Sequence, residues 1–182
     1  MRRTGPGRLG IGGLWLLAAC ASSSGSSAAT PPDARSYARW ALLSSTSIIA
    51  PGHFSLAGRQ VSCGAAPTVT NPHLDDVAAA FERFIVVNPR RLARLPQAVQ
   101  LWAYAHECGH IRFGADEARS DSAAVDDGVA QGWLAPSGLD QICDYIKTVR
   151  GDSRHGGDDA RCRAMRVRFA GDTASIGGYA SW

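Results

Sequence analysis

The sequence predicts an α+β fold: a small β-sheet packed on one long helix, with further helices after it. Three observations lead there. Strand-forming residues lie between about positions 53 and 88, most clearly in "FIVV", Phe84–Val87, a β-branched and aromatic run that Asn88–Pro89 closes. A stretch without proline follows, from Gln97 to Arg112, with inward residues at helical spacing. Beyond it, residues near 116–132, 138–149 and 158–168 are expected to form three more helices. Gly, Pro and Ser between Tyr37 and Pro72 blur the strand boundaries, so the sheet order stays open.

The chain opens "MRRTGPGRLGIGGLWLLAAC". Arg2, Arg3 and Arg8 form a basic segment ahead of a short apolar run, Leu9 to Leu17. That run is too short to span a bilayer and has the size of a signal-peptide core. "LAAC" resembles a bacterial lipobox, which implies cleavage before Cys20 and lipidation of that cysteine. The resemblance implies a membrane partner through the lipid anchor. Ala21 after Cys20 further implies the periplasmic face of the outer membrane, within the bacterial cell envelope. An ordinary secretory signal cut at an A-x-A-like site is the alternative. Residues 1–19 are thus expected to be a leader, 20–36 the lipidated Cys and a Ser/Ala/Pro tether of low hydrophobicity, and 37–182 one folded domain.

The formal charge of +3 overstates how basic the protein is. Removing Arg2, Arg3 and Arg8 with the leader leaves sixteen basic against sixteen acidic residues. There is no basic stripe, which argues against nucleic acid as a partner.

The long helix carries the chemistry. Its entry is Leu95–Pro96, with proline tolerated in a first turn, and Gly114 is a natural stop. Val99, Trp102, Ala103, His106 and His110 share one inward stripe. Of five histidines and three glutamates in the chain, two of each fall between Ala103 and Asp121. His106, Glu107 and His110 spell H-E-x-x-H. On a helix, residues i and i+4 lie one above the other, so both imidazoles reach one metal ion. Glu107 sits about 100° further round, beyond a ligand's reach but placed to take a proton from water activated there. This is the zinc pattern of metallopeptidases, with Zn²⁺ as the expected cofactor.

A catalytic zinc keeps three protein ligands and one open position. Two acids follow His110: Asp116, six residues on, and Glu117, seven on. Asp116 follows the Gly114 turn and suits the N-cap of a second helix. Glu117 would then stand in that helix's first turn, with Asp121 on the same face. Glu-x-x-x-Asp after H-E-x-x-H resembles the gluzincins, in their small forms and the branch related to CAAX proteases. The resemblance implies a zincin-like (minigluzincin) fold, Glu117 as the third ligand and Asp121 orienting a histidine ligand from behind. Metzincin-like sites instead place the ligand six residues after the second His, as Asp116 stands, but with a Gly one position earlier than Gly114. "FERFIVVNPRRL" before the helix resembles the edge strand of such peptidases, which borders the cleft and pairs with extended substrate, while an ordinary core strand suits the run equally well. Related peptidases carry a His and an Arg after the metal helices, near the oxyanion. His155 and Arg161 are the candidates here, although a solvated loop suits His155 as well. His53 and His73 follow turn residues and read as surface positions.

With Cys20 lipidated, four cysteines remain, which can pair in three ways. The loop "GDSRHGGDD" between Cys143 and Cys162 favours closing that pair, leaving Cys63 with Cys108. The functional expectation is zinc-dependent hydrolysis of peptide bonds in the envelope, acting on a peptide or protein substrate. The alternative is a non-catalytic envelope lipoprotein that uses the same fold and metal for structure or docking.

Overall fold

A strand that is apolar at every position buries both its faces. In the computed structural model, which describes residues 33–43, 48–149 and 158–177, Phe84–Val87 does so at the centre of a sheet. In chain order the elements are α1 (Ala34–Trp40), β1 (Ile48–Ile49), β2 (Phe54–Leu56), β3 (Arg59–Val61), β4 (Thr68–Thr70), β5 (Ala78–Phe81) and β6 (Phe84–Val87). The helices α2 (Pro89–Leu92), α3 (Gln97–Phe113), α4 (Glu117–Ala130), α5 (Pro136–Thr148) and α6 (Asp158–Gly177) follow. The fold is α+β.

The main sheet has the order β1-β4-β6-β5, with β4 and β6 parallel and the other neighbours antiparallel. β2 and β3 form a separate hairpin. Phe84 and Val86 pack with Ala34 and Tyr37 of α1, while Ile85 and Val87 join the core that holds Val99 and Trp102 of α3. Of the two readings of Phe84–Val87, the structure shows the core strand and not the edge strand that the resemblance implies. Its neighbour β5 is an edge strand, with alanine at its first three positions.

α1 starts inside the stretch read as tether. Asp33 accepts the Ser36 N–H at 2.8 Å and caps the helix. Tyr37 then buries against Phe81 and Phe84, with ring centroids 5.1 and 5.5 Å away. α3 runs as expected to Gly114, whose φ of 66° suits glycine. α4 and α5 lie close to the expected positions, whereas α6 extends to Gly177 rather than 168. Among the described residues no helix is long and apolar enough to cross a membrane. The leader, Cys20, most of the tether and His155 lie outside the described residues.

Cys63 and Cys108 form a disulfide, their Cα atoms 5.5 Å apart, which ties the chain after β3 to the back of the metal-motif helix. The expected Cys143–Cys162 closure is corrected: both are free thiols, buried in one core where α5 meets α6. Burial and the neighbouring Cys143 push the Cys162 thiol up to about 12. As core side chains of packed helices the two fill space without a covalent link.

Candidate metal centre

α3 and α4 together build the site. At Gly109 an added Cβ would lie 2.6 Å from the Ser120 Cα, so only glycine permits this approach of the two helices. That contact sets α4's first two turns against the histidine face of α3. Glu117, Ser120 and Asp121, at i, i+3 and i+4, all turn to it. Asp116 stays outside: its carboxylate accepts the Arg119 N–H at 3.0 Å and caps α4.

The distances define a small cage. His106 Nε2 and His110 Nε2 are 3.0 Å apart. Glu117 spans them, with Oε2 3.3 Å from His106 Nε2 and Oε1 3.2 Å from His110 Nε2. A tetrahedral ion with ligands at 2.0–2.1 Å has ligand atoms about 3.3–3.4 Å from one another. The three residues therefore have the spacing to hold one metal ion.

Hydrogen bonds behind the cage fix which nitrogens face it. His106 Nδ1 lies 2.9 Å from Asp121 Oδ1, and His110 Nδ1 lies 2.7 Å from the Gly114 carbonyl. An ionised carboxylate and a carbonyl only accept, so each Nδ1 carries a proton and Nε2 is the nitrogen that each ring presents to the cage. Ser120 Oγ, fully buried, stands 3.2 Å from His110 Nδ1. Asp121 is gripped in turn by Arg161, whose Nε and Nη2 donate to its two oxygens at 2.7 and 2.8 Å.

The charge balance of this cage follows. Burial alone would lower the His106 imidazole, but hydrogen bonds to Asp121 and Glu117 outweigh it and lift the group to about 9. The Glu117 contact likewise raises His110 against its burial. Burial raises the Asp121 carboxyl, yet Arg161 and His106 together hold it below the usual carboxylate range. The surroundings of this cage favour positive charge on it.

Comparison with known proteins adds no relative: no family model matches the chain, and neither a curated protein nor a solved structure resembles it significantly. The site must be judged on its own geometry.

Glu107 is buried beside the cage, and its Oε2 accepts the Ala80 N–H at 2.6 Å. A cleft of about 910 Å³ opens over it, walled by β5 from Ala78 to Phe81 and floored by Glu107, His110 and Glu117. Arg161 does not line this cleft; it stands behind the cage on Asp121 and, at 3.5 Å, on Glu117. This corrects its expected place at an oxyanion. The structure thus joins His106, Glu107, His110, Glu117, Asp121 and Arg161, and leaves Asp116 out. Sequence reasoning missed Ser120, although its spacing from Glu117 put it on the same helix face. It also missed the Ala80 amide, a backbone group that no residue type announces.

Proposed function

We propose that this chain is a zinc-dependent peptidase, with His106, His110 and Glu117 as ligands and Glu107 as general base. The observation that carries the proposal is the convergence of acceptors. His106 Nε2 and His110 Nε2 lie 3.0 Å apart and each is within 3.3 Å of one Glu117 oxygen, an arrangement that favours a cation or proton among them. A neutral His pair with a carboxylate and an open side is the donor set of a catalytic zinc site, and here the open side faces the cleft. Glu107, on that side, supports a hydrolytic role over a purely structural one.

A bound zinc ion would supply Lewis acidity, polarising the scissile carbonyl and acidifying the attacking water. The chain's own groups do the rest. Glu107 accepts the proton of that water and returns it to the leaving amine. Asp121 holds His106 in one tautomer, and the Gly114 carbonyl does the same for His110. β5, at the sheet edge, would align an extended peptide by strand addition. Lipid anchoring through Cys20, with an envelope location, belongs to the same proposal and rests on the leader sequence alone.

The test is zinc content and hydrolysis of a mixed peptide library, with and without chelator, for wild type and Glu107→Gln. The expected result is one zinc in both proteins, cleavage by wild type only, and its loss on chelation. A wild type that binds zinc but cuts nothing would support the non-catalytic alternative. A chain that binds no zinc would sink both.

A further inference from the structure

β5 ends the sheet, and the direction of its backbone groups follows from its neighbour. Ile85 N–H donates to the Pro67 carbonyl and Val87 C=O accepts from Asn71 N–H, so both residues turn toward β4. On the other side, Asn88 N–H donates to the Val77 carbonyl. Across the β5–β6 register Ala80 lies opposite Ile85 and Ala78 opposite Val87. In an antiparallel pair, hydrogen-bonded and open positions alternate. Ala78 and Ala80 therefore direct their N–H and C=O away from β6, on the side where the cleft lies. An outward edge amide ordinarily serves water or an incoming strand. The Ala80 amide instead donates to Glu107 Oε2 at 2.6 Å.

We infer that the Ala80 backbone amide is a positioning group for Glu107, fixing how its carboxylate faces the cleft. The inference rests on the peptidase proposal for its consequence in rate, and on this hydrogen bond for its geometry. A glutamate side chain has three rotatable bonds, and displacing a reacting group by an ångström costs on the order of 10²-fold in rate. A strand amide that is covalently part of the sheet removes that freedom. It also sets the register of substrate. A peptide adding to β5 pairs with Ala78 and with the Ala80 carbonyl, because the Ala80 amide is already engaged.

Two measurements on the intact chain test this. The first, backbone amide exchange, needs no catalysis. Ala80 is expected to be protected in wild type and to lose at least about tenfold of that protection in Glu107→Ala, while Ala79, bonded within the β5–β6 ladder, stays protected in both. The second is kinetic. Ala80→Pro removes the N–H at an edge position where proline costs no ladder bond. It should lower kcat about 10–100-fold with KM and zinc content little changed, and Ala80→Ser, which restores the N–H, should recover most of the loss. Fast exchange of Ala80 in wild type, or protection indifferent to Glu107, would overturn the inference. So would an Ala80→Pro variant that raises KM and leaves kcat alone, since the amide would then serve substrate. If zinc-loaded wild type cleaves nothing while Ala80 remains protected through Glu107, the clamp stands and the peptidase proposal falls.

Discussion

His106 Nδ1 and Asp121 Oδ1 lie 2.9 Å apart, and Arg161 closes on the same carboxylate from the other side. The chain Arg161–Asp121–His106 links three helices, α6, α4 and α3, and ends on a histidine of the cage. Asp121→Asn keeps the shape but lets the amide present either oxygen or nitrogen to the ring. It is expected to weaken zinc affinity or hydrolysis about 10–100-fold. Arg161→Gln should give a smaller loss of the same kind, because Asp121 stays but loses its anchor. Zinc titration of both variants checks the order, and a larger loss from Arg161→Gln would mean that Arg161 does more than hold Asp121.

The two acids after Gly114 separate cleanly. Glu117→Ala removes a ligand and is expected to abolish tight zinc binding, because His106 and His110 alone leave the ion too open. Asp116→Ala removes only the α4 cap, costing about 1 kcal/mol of stability with metal retained. Metal content and thermal unfolding of the pair decide it; retention of zinc by Glu117→Ala would return the third ligand to the candidates.

The disulfide makes a third prediction. Cys63–Cys108 closes a sequence separation of 45 residues, for which the chain-entropy model gives roughly 4 kcal/mol. Cys63→Ser with Cys108→Ser should therefore lower unfolding stability by about 2–4 kcal/mol in denaturant titration. In denatured, unreduced protein, thiol labelling should mark Cys143 and Cys162 and spare Cys63 and Cys108. Labelling of the second pair with protection of the first would reverse the assignment.

How much of this was legible in the sequence depends on how local the signal is. H-E-x-x-H lies within one helix turn, so spacing alone placed His106, Glu107 and His110. Glu117 and Asp121, one turn apart on the next helix, come with the resemblance to gluzincins, and the sequence alone leaves Asp116 open beside Glu117. The edge reading of "FIVV" comes with the resemblance alone, whereas its lack of alternation speaks for the core strand that it is. A strand apolar at every position belongs in the middle of a sheet. Cysteine pairing and the place of Arg161 are set by how distant segments pack, for which chain distance offers no guide.

A fourth prediction concerns Gly109, the residue between Cys108 and His110. A Cβ there meets the Ser120 Cα at 2.6 Å, and a backbone atom cannot step aside as a side chain end would. Gly109→Ala should drive α4 away from α3, carrying Glu117 and Asp121 with it. The expected outcome is loss of zinc affinity together with a stability loss of about 1–3 kcal/mol, the range for overpacking. Since alanine is the better helix former, a stabilised variant with full zinc content would show that the helices do not meet this closely.

The last prediction is a pH dependence of the metal-free protein. The folded His106 imidazole is raised to about 9 from an ordinary 6.5, with Asp121 and Glu117 overcoming its burial. A group raised on folding binds more protons in the native state across the interval between the two values. Its stabilisation is fully present below about pH 6.5 and is lost as pH climbs toward 9. The size is on the order of a few kcal/mol, one pKa unit being about 1.4 kcal/mol. Chelated protein should thus unfold at progressively lower temperature from pH 6.5 to 9. Zinc competes with the same proton for the Nε2 cage, so its stabilising increment should grow over the same interval. Glu117→Gln, lacking one negative partner, should flatten the metal-free slope. A chelated wild type whose melting temperature holds level or rises across that window would show that no proton is held between these residues, and the convergence of acceptors would have lost its meaning.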